Sequence, residues 1–180
     1  MAETARRRLV AIAPGSMWRA APPYARFCLR VDLESAAAKV AGVMPLATAA
    51  CRSSAQGEWN ALWLGPDEQL LIGPDHAGTA FATSIAAALQ GVPHSLVEVS
   101  HRQSAIELTG PNAAALINAG CPLDLGLHAM PVGFCSRTVY AKAEIVLWRR
   151  AEHDFHLEVW RSYLPYVAKL LALVADEYRG

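Results

Sequence analysis

Residues 59–72 read Trp59-Asn60-Ala61-Leu62-Trp63-Leu64-Gly65-Pro66-Asp67-Glu68-Gln69-Leu70-Leu71-Ile72. Two short apolar runs flank Gly-Pro-Asp, a turn in which the proline ring presets φ. That pattern is a β-hairpin, with strands over 59–64 and 68–72 paired antiparallel. Gly73 and Pro74 break the second strand. Asp75 then reads as the cap of a helix over about 76–90. Phe81, Ile85 and Leu89 lie four apart on its apolar face, and Gly91 stops it.

Working outward, residues 26–31 alternate, with Phe27, Leu29 and Val31 on one face and Arg26, Cys28 and Arg30 on the other. This is the period of a strand. Asp32 fits the N-cap of an alanine-rich helix over 33–43, closed by Pro45. Residues 47–52 read as a strand and 53–58 as a turn cluster. Residues 1–24 carry Pro14, Gly15, Pro22 and Pro23 and read as an extended arm, whose Trp18 must pack on this chain or on another. Downstream, 95–99 and 105–109 read as strands, and Gly110-Pro111 turns into a short helix over 112–118. Residues 121–127 are irregular. Three more strands follow, over 137–141, 144–149 and 155–159. Ser162 reads as the cap of a terminal helix reaching about residue 178, with Pro165 in its tolerant first turn. Strands so close in sequence form hairpins, so the fold class is α+β with mainly antiparallel sheets rather than a doubly wound parallel one. A break near residue 94 divides the chain after the arm into two similar α+β halves, 25–94 and 95–180.

The 180 residues carry 16 Lys+Arg against 16 Asp+Glu, a formal net charge of zero. That excludes a strongly basic nucleic-acid binder and an acidic solvating tail. The charged fraction, 18%, lies below the ~25% usual for soluble domains. Such a chain has a thin polar surface or one partly covered by a partner. No apolar run approaches the ~20 residues that span a bilayer. The run over 9–13 after Arg6, Arg7 and Arg8 falls short of a secretory core of ~7–15 residues. A cytoplasmic protein with no membrane contact is expected. The four cysteines, Cys28, Cys51, Cys121 and Cys135, form no C-x-x-C pair and read as free, buried thiols.

Motifs for chemistry are sparse. Neither G-x-G-x-x-G nor a P-loop occurs, so a dinucleotide site is not expected. His153 and His156 are three apart on a strand and point to opposite faces. Cys121, His128 and Cys135 match no zinc spacing. Ser100-His101-Arg102 is the most polar local cluster, yet neighbours on an extended segment diverge and make no dyad. Arg149 and Arg150, near Trp148 and Trp160, read as a hairpin tip rather than a nucleic-acid face. The terminal helix is more informative. Leu164, Val167, Leu171 and Val174 form one stripe, with Tyr166, Leu170 and Leu173 on its flank. A helix so broadly apolar is buried on more than one side, either within this chain or wedged against another subunit.

One ordered set of short motifs carries a resemblance. It runs from Leu62-Trp63-Leu64-Gly65-Pro66-Asp67-Glu68 with Leu70-Leu71, through Val97-Glu98-Val99-Ser100-His101-Arg102 and Leu108-Thr109-Gly110-Pro111, to Gly120-Cys121-Pro122-Leu123-Asp124-Leu125. Pro131, Gly133, Cys135 and Thr138 follow, then Arg161-Ser162-Tyr163. Over about 59–178 the chain resembles the gamma subunit of heterotetrameric sarcosine oxidase. The resemblance implies a fold similar to the folate-binding domain of the glycine-cleavage aminomethyltransferase, with two ferredoxin-like halves. It implies a complex that oxidatively demethylates sarcosine to glycine, releases hydrogen peroxide and passes the one-carbon unit to tetrahydrofolate. It places FAD, FMN, NAD and zinc on the alpha, beta and delta subunits and none on this chain, which would be a non-catalytic structural subunit.

The wider fold group carries an acidic pair after a glycine near residues 141–145. Here the stretch reads Ala141-Lys142-Ala143-Glu144-Ile145, so Glu144 remains without its aspartate. A K-G-C-x-x-G-Q-E signature is also absent from the sequence. The alternative is a stand-alone folate-binding or one-carbon-transfer protein of the same fold, whose central pocket would contain Glu144, Asp124 or Arg161. An RNA-modification accessory domain rests on fold analogy alone. For the subunit reading, the expected partner-interface residues are Trp18, Arg102, Asp124, Arg161, Tyr166 and Leu170. Fold maintenance competes for each, with Asp124 suited to accept backbone N–H bonds in the 121–127 loop.

Overall fold

The computed structural model describes Gly15 and residues 17–178; the Arg6–Arg8 segment and the 9–13 run lie outside the described residues. The chain runs through β1 (Trp18–Ala20), β2 (Tyr24–Val31), α1 (Leu33–Val40), β3 (Ser53–Gln56), β4 (Trp59–Gly65) and β5 (Glu68–Pro74). A 3₁₀ turn (Asp75–Ala77) leads into α2 (Gly78–Ala88). Then come β6 (His94–Glu98), β7 (Gln103–Thr109), α3 (Ala113–Asn118), β8 (Cys135–Tyr140), β9 (Ala143–Ala151), β10 (Asp154–Trp160) and α4 (Leu164–Glu177).

The expected hairpin is present, with Leu62 opposite Leu70 and a register shift between Trp63 and Gly65 where the turn begins. Every named strand pairing is antiparallel. Two five-stranded sheets result, in the orders β3-β4-β5-β2-β6 and β1-β7-β10-β9-β8. Alternation along β2 explains their packing. Ala25, Phe27, Leu29 and Val31 join one core with Val40 of α1 and Phe81 and Ile85 of α2. The matching core of the second sheet holds Ile106, Leu157 and Val159 against Leu116 of α3 and Leu171 of α4. Leu62, Leu70 and Ile72 of the first sheet pack with Cys135, Val146 and Trp148 of the second in a third cluster between the sheets. The layers are therefore helix, sheet, sheet, helix. No described helix is long and apolar enough to cross a membrane.

The two sheets do not divide where the sequence break at residue 94 and the arm boundary at 24 would put them. β1 lies within the expected arm yet pairs with β7, placing Trp18 opposite Leu108 in the second sheet. β6 opens the expected second half yet pairs with β2, placing Val97 opposite Cys28 in the first. Both exchanges cover an open strand edge, and each buries apolar surface: Trp18 joins the second core and Leu96 packs on the first. Cys28 and Cys51 are half-exposed rather than buried, whereas Cys121 and Cys135 are buried.

Three local expectations shift. The strand expected over 47–52 lies instead at Ser53–Gln56, because Ser54 Oγ and Gln56 Nε2 donate to the carbonyls of Pro45 and Gly42 and hold the polar segment extended. Helix α1 ends at Val40, and Gly42 follows. Ser162 does not cap α4: Tyr163 occupies the N-cap without a side-chain bond, and Pro165 sits in the first turn. Asp32 does cap α1, accepting from the Ser35 N–H at 3.1 Å.

Candidate functional site

The polar face of β2 meets the polar face of β10 between the sheets. Arg26 Nε donates to both oxygens of Glu158, at 2.9 and 2.7 Å. His156 Nε2 lies 2.7 Å from Glu158 Oε1. A carboxylate only accepts, so that nitrogen carries the proton. Arg26, His156 and Glu158 are 3%, 1% and 0% exposed, so these polar groups are withdrawn from water and must satisfy one another. The His156 ring stands edge-on to Tyr24 and Trp148, with centroids 5.8 Å from each. Burial alone pushes Glu158 upward, yet Arg26 and His156 together hold its carboxyl below the usual range.

Two further carboxylates extend this layer. Glu107 accepts from Arg19 Nε and Arg150 Nη1, each at 2.9 Å, and from the Tyr24 hydroxyl at 3.4 Å. Burial raises Glu107, but the Arg19 and Arg150 bonds overcome it and its carboxyl lies low. Glu68 accepts from Arg137 and from Arg30 Nη1. The Arg137 bond holds its carboxyl low against the opposing effect of burial.

A solvent-open cleft flanks the buried pair on each side along β2. One, of about 350 Å³, is lined by Cys28, Glu68, Arg102, Arg137, Glu144 and Trp160. The other, of about 830 Å³, includes Tyr24, Asn60, Trp148, Arg150 and His156. In the first, Arg102 stacks over the Trp160 ring at 5.3 Å. Gln103 Oε1 and His156 Nδ1 are buried without a hydrogen-bond partner among the described residues. No group of three or more His, Cys, Asp or Glu able to hold a metal occurs among the described residues.

The residues expected at a partner surface fall into different environments. Trp18 is 5% exposed and belongs to this chain's own core. Its side chain is therefore unavailable to a partner while β1 stays paired. Asp124 Oδ1 accepts from the Gly126 N–H at 2.8 Å, the loop-holding role its position suggests. Arg149 completes that loop by donating to the carbonyls of Met130 and Leu125. Arg102 is exposed, and Arg161 is half-buried in a small cleft beside Ser100 and Leu164. Leu170 packs on the second core. Tyr166 is 37% exposed and meets Tyr163 edge to face at 6.5 Å. Trp160, Tyr163 and Leu173 are also exposed. Spacings of three and four place Tyr163, Tyr166, Leu170 and Leu173 along one side of α4 and its entry. Of the pocket residues for the folate alternative, Glu144 lines the Arg102 cleft, Arg161 lines the neighbouring one, and Asp124 lines neither.

Sequence patterns did not single out the Arg26–Glu158 pair, whose members are 132 positions apart. His156 stood out only as half of H-x-x-H. Its strand does separate it from His153, which lies in the preceding turn with its side chain 54% exposed.

Comparison with known proteins gives this architecture a lineage. The family model described as "Sarcosine oxidase, gamma subunit family" matches residues 31–177. The chain is similar to a sarcosine oxidase subunit gamma from Arthrobacter sp., with 38% identity over 96 residues, 53% of this chain and 46% of that one. It is 32% identical over 117 residues to the corresponding subunit from Corynebacterium sp. (strain P-1), covering 65% of this chain and 57% of that one. The matched segments thus span about half the length of these curated relatives. A chain of heterotetrameric sarcosine oxidase from Corynebacterium sp. U-96, solved with pyrrole 2-carboxylate, superposes with a TM-score of 0.83 and 25% identity over 91% of this chain and 85% of that one. Glycine cleavage system aminomethyltransferase T from Bartonella henselae shares the fold, with a TM-score of 0.67 and 12% identity over 86% of this chain and 44% of that one. The helix–sheet–sheet–helix layering, the family match and the likeness to a subunit of a solved oxidase agree: the chain belongs to the sarcosine oxidase gamma subunit family.

Proposed function

We propose that this chain is the gamma subunit of a heterotetrameric sarcosine oxidase. In this reading the complex demethylates sarcosine oxidatively in the cytoplasm and transfers the one-carbon unit to tetrahydrofolate. The alpha, beta and delta subunits carry FAD, FMN, NAD and zinc, and this chain is a structural subunit without a catalytic residue. The observation that carries the reading is the superposition on a chain of the heterotetrameric enzyme over most of both chains. The interior supports the structural role, since the inter-sheet carboxylates Glu68, Glu107 and Glu158 are each committed to arginines of this chain. The proposed partner surface uses Arg102, Arg161, Tyr166 and Leu170 with exposed Trp160, Tyr163 and Leu173. Aromatic and arginine side chains are the types enriched at interfaces.

The test is co-expression of the tagged chain with the neighbouring genes expected to encode the other subunits. Purification on the tag should bring down large subunits with a flavin spectrum, and added sarcosine should bleach it. A colourless chain recovered alone, with those subunits demonstrably expressed, would overturn the reading. Heat released on titrating that lone chain with reduced folate would then favour the one-carbon alternative.

A further inference from the structure

Two of the four cysteines adjoin through their backbones across the seam where the two sheets join. Arg52 forms an antiparallel bridge with Phe134. Flanking bonds run from Ser53 N to the Gly133 carbonyl at 2.8 Å and from Cys135 N to the Cys51 carbonyl at 3.0 Å. That register sets Cys51 directly opposite Cys135. The Cys135 N–H to Cys51 carbonyl bond is one of the two that a hydrogen-bonded antiparallel pair exchanges; such pairs have Cα atoms about 5.5 Å apart, inside the range of about 4.4–6.8 Å that a disulfide requires. The thiols differ in access, since Cys51 is half-exposed and Cys135 is 0% exposed. Cys51 also holds φ at +56°, in the left-handed region that a residue with a Cβ rarely adopts.

We propose that Cys51 and Cys135 form a peroxide-sensitive pair that closes into a disulfide across the sheet–sheet seam. The Cys51 thiolate attacks a peroxide oxygen: an S–O bond forms, the O–O bond breaks, and hydroxide leaves and is protonated to water. The Cys135 sulfur then attacks the Cys51 sulfenic sulfur. The S–S bond forms, the S–O bond breaks, and the departing hydroxide takes the Cys135 proton as a second water. Two thiols are oxidised by two electrons, and one hydrogen peroxide is reduced to two waters. Burial pushes the Cys135 thiol up to about 12, with nearby Cys51 adding to the effect. Its S–H points to the Arg52 and Trp63 carbonyls, at 3.3 and 3.6 Å. Cys51 is therefore the side that meets the oxidant, and Cys135 is the slower, resolving side. The inference stands apart from the oxidase assignment, although an enzyme that releases hydrogen peroxide would deliver the oxidant locally.

The experiment uses the purified full chain and added hydrogen peroxide, so its outcome is independent of oxidase activity. After peroxide is removed, free thiols are alkylated without reductant and tryptic peptides are mapped by mass spectrometry. Cys51 falls in peptide 40–52, and Cys135 falls with Cys121 in peptide 103–137. The expected product is these two peptides joined, two hydrogens lighter than their sum, with fragmentation placing the bond at Cys135. The link should be absent from Cys51→Ser and disappear on reduction. Cys51 recovered as sulfinic or sulfonic acid while Cys135 remains fully alkylatable after denaturation would overturn the proposal. A link to Cys121, or between two copies of Cys51, would also overturn it. Should Cys51→Ser fail to fold, the wild-type map decides alone.

Discussion

Arg26 is held between two sheets with its Nε bonded to both oxygens of Glu158, at 3% and 0% exposure. Removing one charge strands the other in a dry layer, which costs more than the intact pair contributes. Glu158→Gln should therefore lower stability by about 3–5 kcal/mol, read as a shift of the urea midpoint at neutral pH with unchanged slope. A loss below about 1 kcal/mol would mean that water reaches the pair. The sign of the pH dependence follows from the same contacts. Glu68, Glu107 and Glu158 all titrate low in the folded chain. Their stabilisation is therefore present above the unfolded glutamate value of about 4.3 and lost as pH falls through the lower folded values. Wild-type stability should drop steadily below about pH 5, and Glu158→Gln should show a shallower fall. Cooperative unfolding followed at a series of pH values checks both.

At the scale of the element, α4 separates packing from surface. Leu171 is 0% exposed and Leu173, two residues on, is 57% exposed. Leu171→Ala should cost about 2–5 kcal/mol. Leu173→Ser should stay within about 0.5 kcal/mol while weakening recovery of partner subunits in the co-expression pull-down. Equal destabilisation by both would show that the exposed side of α4 packs within this chain. The β4–β5 hairpin gives a second test. A Cβ on Gly73 would strike the Trp59 indole, which is already stacked on Phe81 at 3.5 Å and 6°. Gly73→Ala should destabilise by about 1–3 kcal/mol through overpacking and lower the Tm by several degrees. Unchanged stability would mean that the stack can slide. This hairpin was legible because Gly65-Pro66-Asp67 and the flanking apolar runs act locally. The strand at Ser53–Gln56 was not, since its side chains bond carbonyls of the 42–45 segment and its composition is that of a turn.

At the scale of the whole molecule, the α+β class and antiparallel sheets could be read from strand spacing, whereas strand ownership could not. β1, from the expected arm, joins the second sheet, and β6, from the expected second half, joins the first, a choice made by edges and cores far away in sequence. The buried charge layer was hidden for a related reason. The sequence places Arg26 on the polar face of an alternating strand, but its partner Glu158 comes from 132 positions away on β10. The exchanged strands and the shared inter-sheet cluster of Leu62, Leu70, Ile72, Val146 and Trp148 have a joint consequence. Residues 25–94 alone lack nearly all of β6 and would expose that cluster, so neither sheet has a complete core by itself. The full chain should unfold in one transition. Far-UV circular dichroism and tryptophan fluorescence should coincide on a urea gradient, since Trp59 and Trp63 report the first sheet and Trp148 the second. A fragment of residues 25–94 should show no cooperative unfolding. Two separated transitions in the full chain, or a cooperative one in the fragment, would mean that the halves are autonomous and that the buried Arg26–Glu158 pair merely docks them.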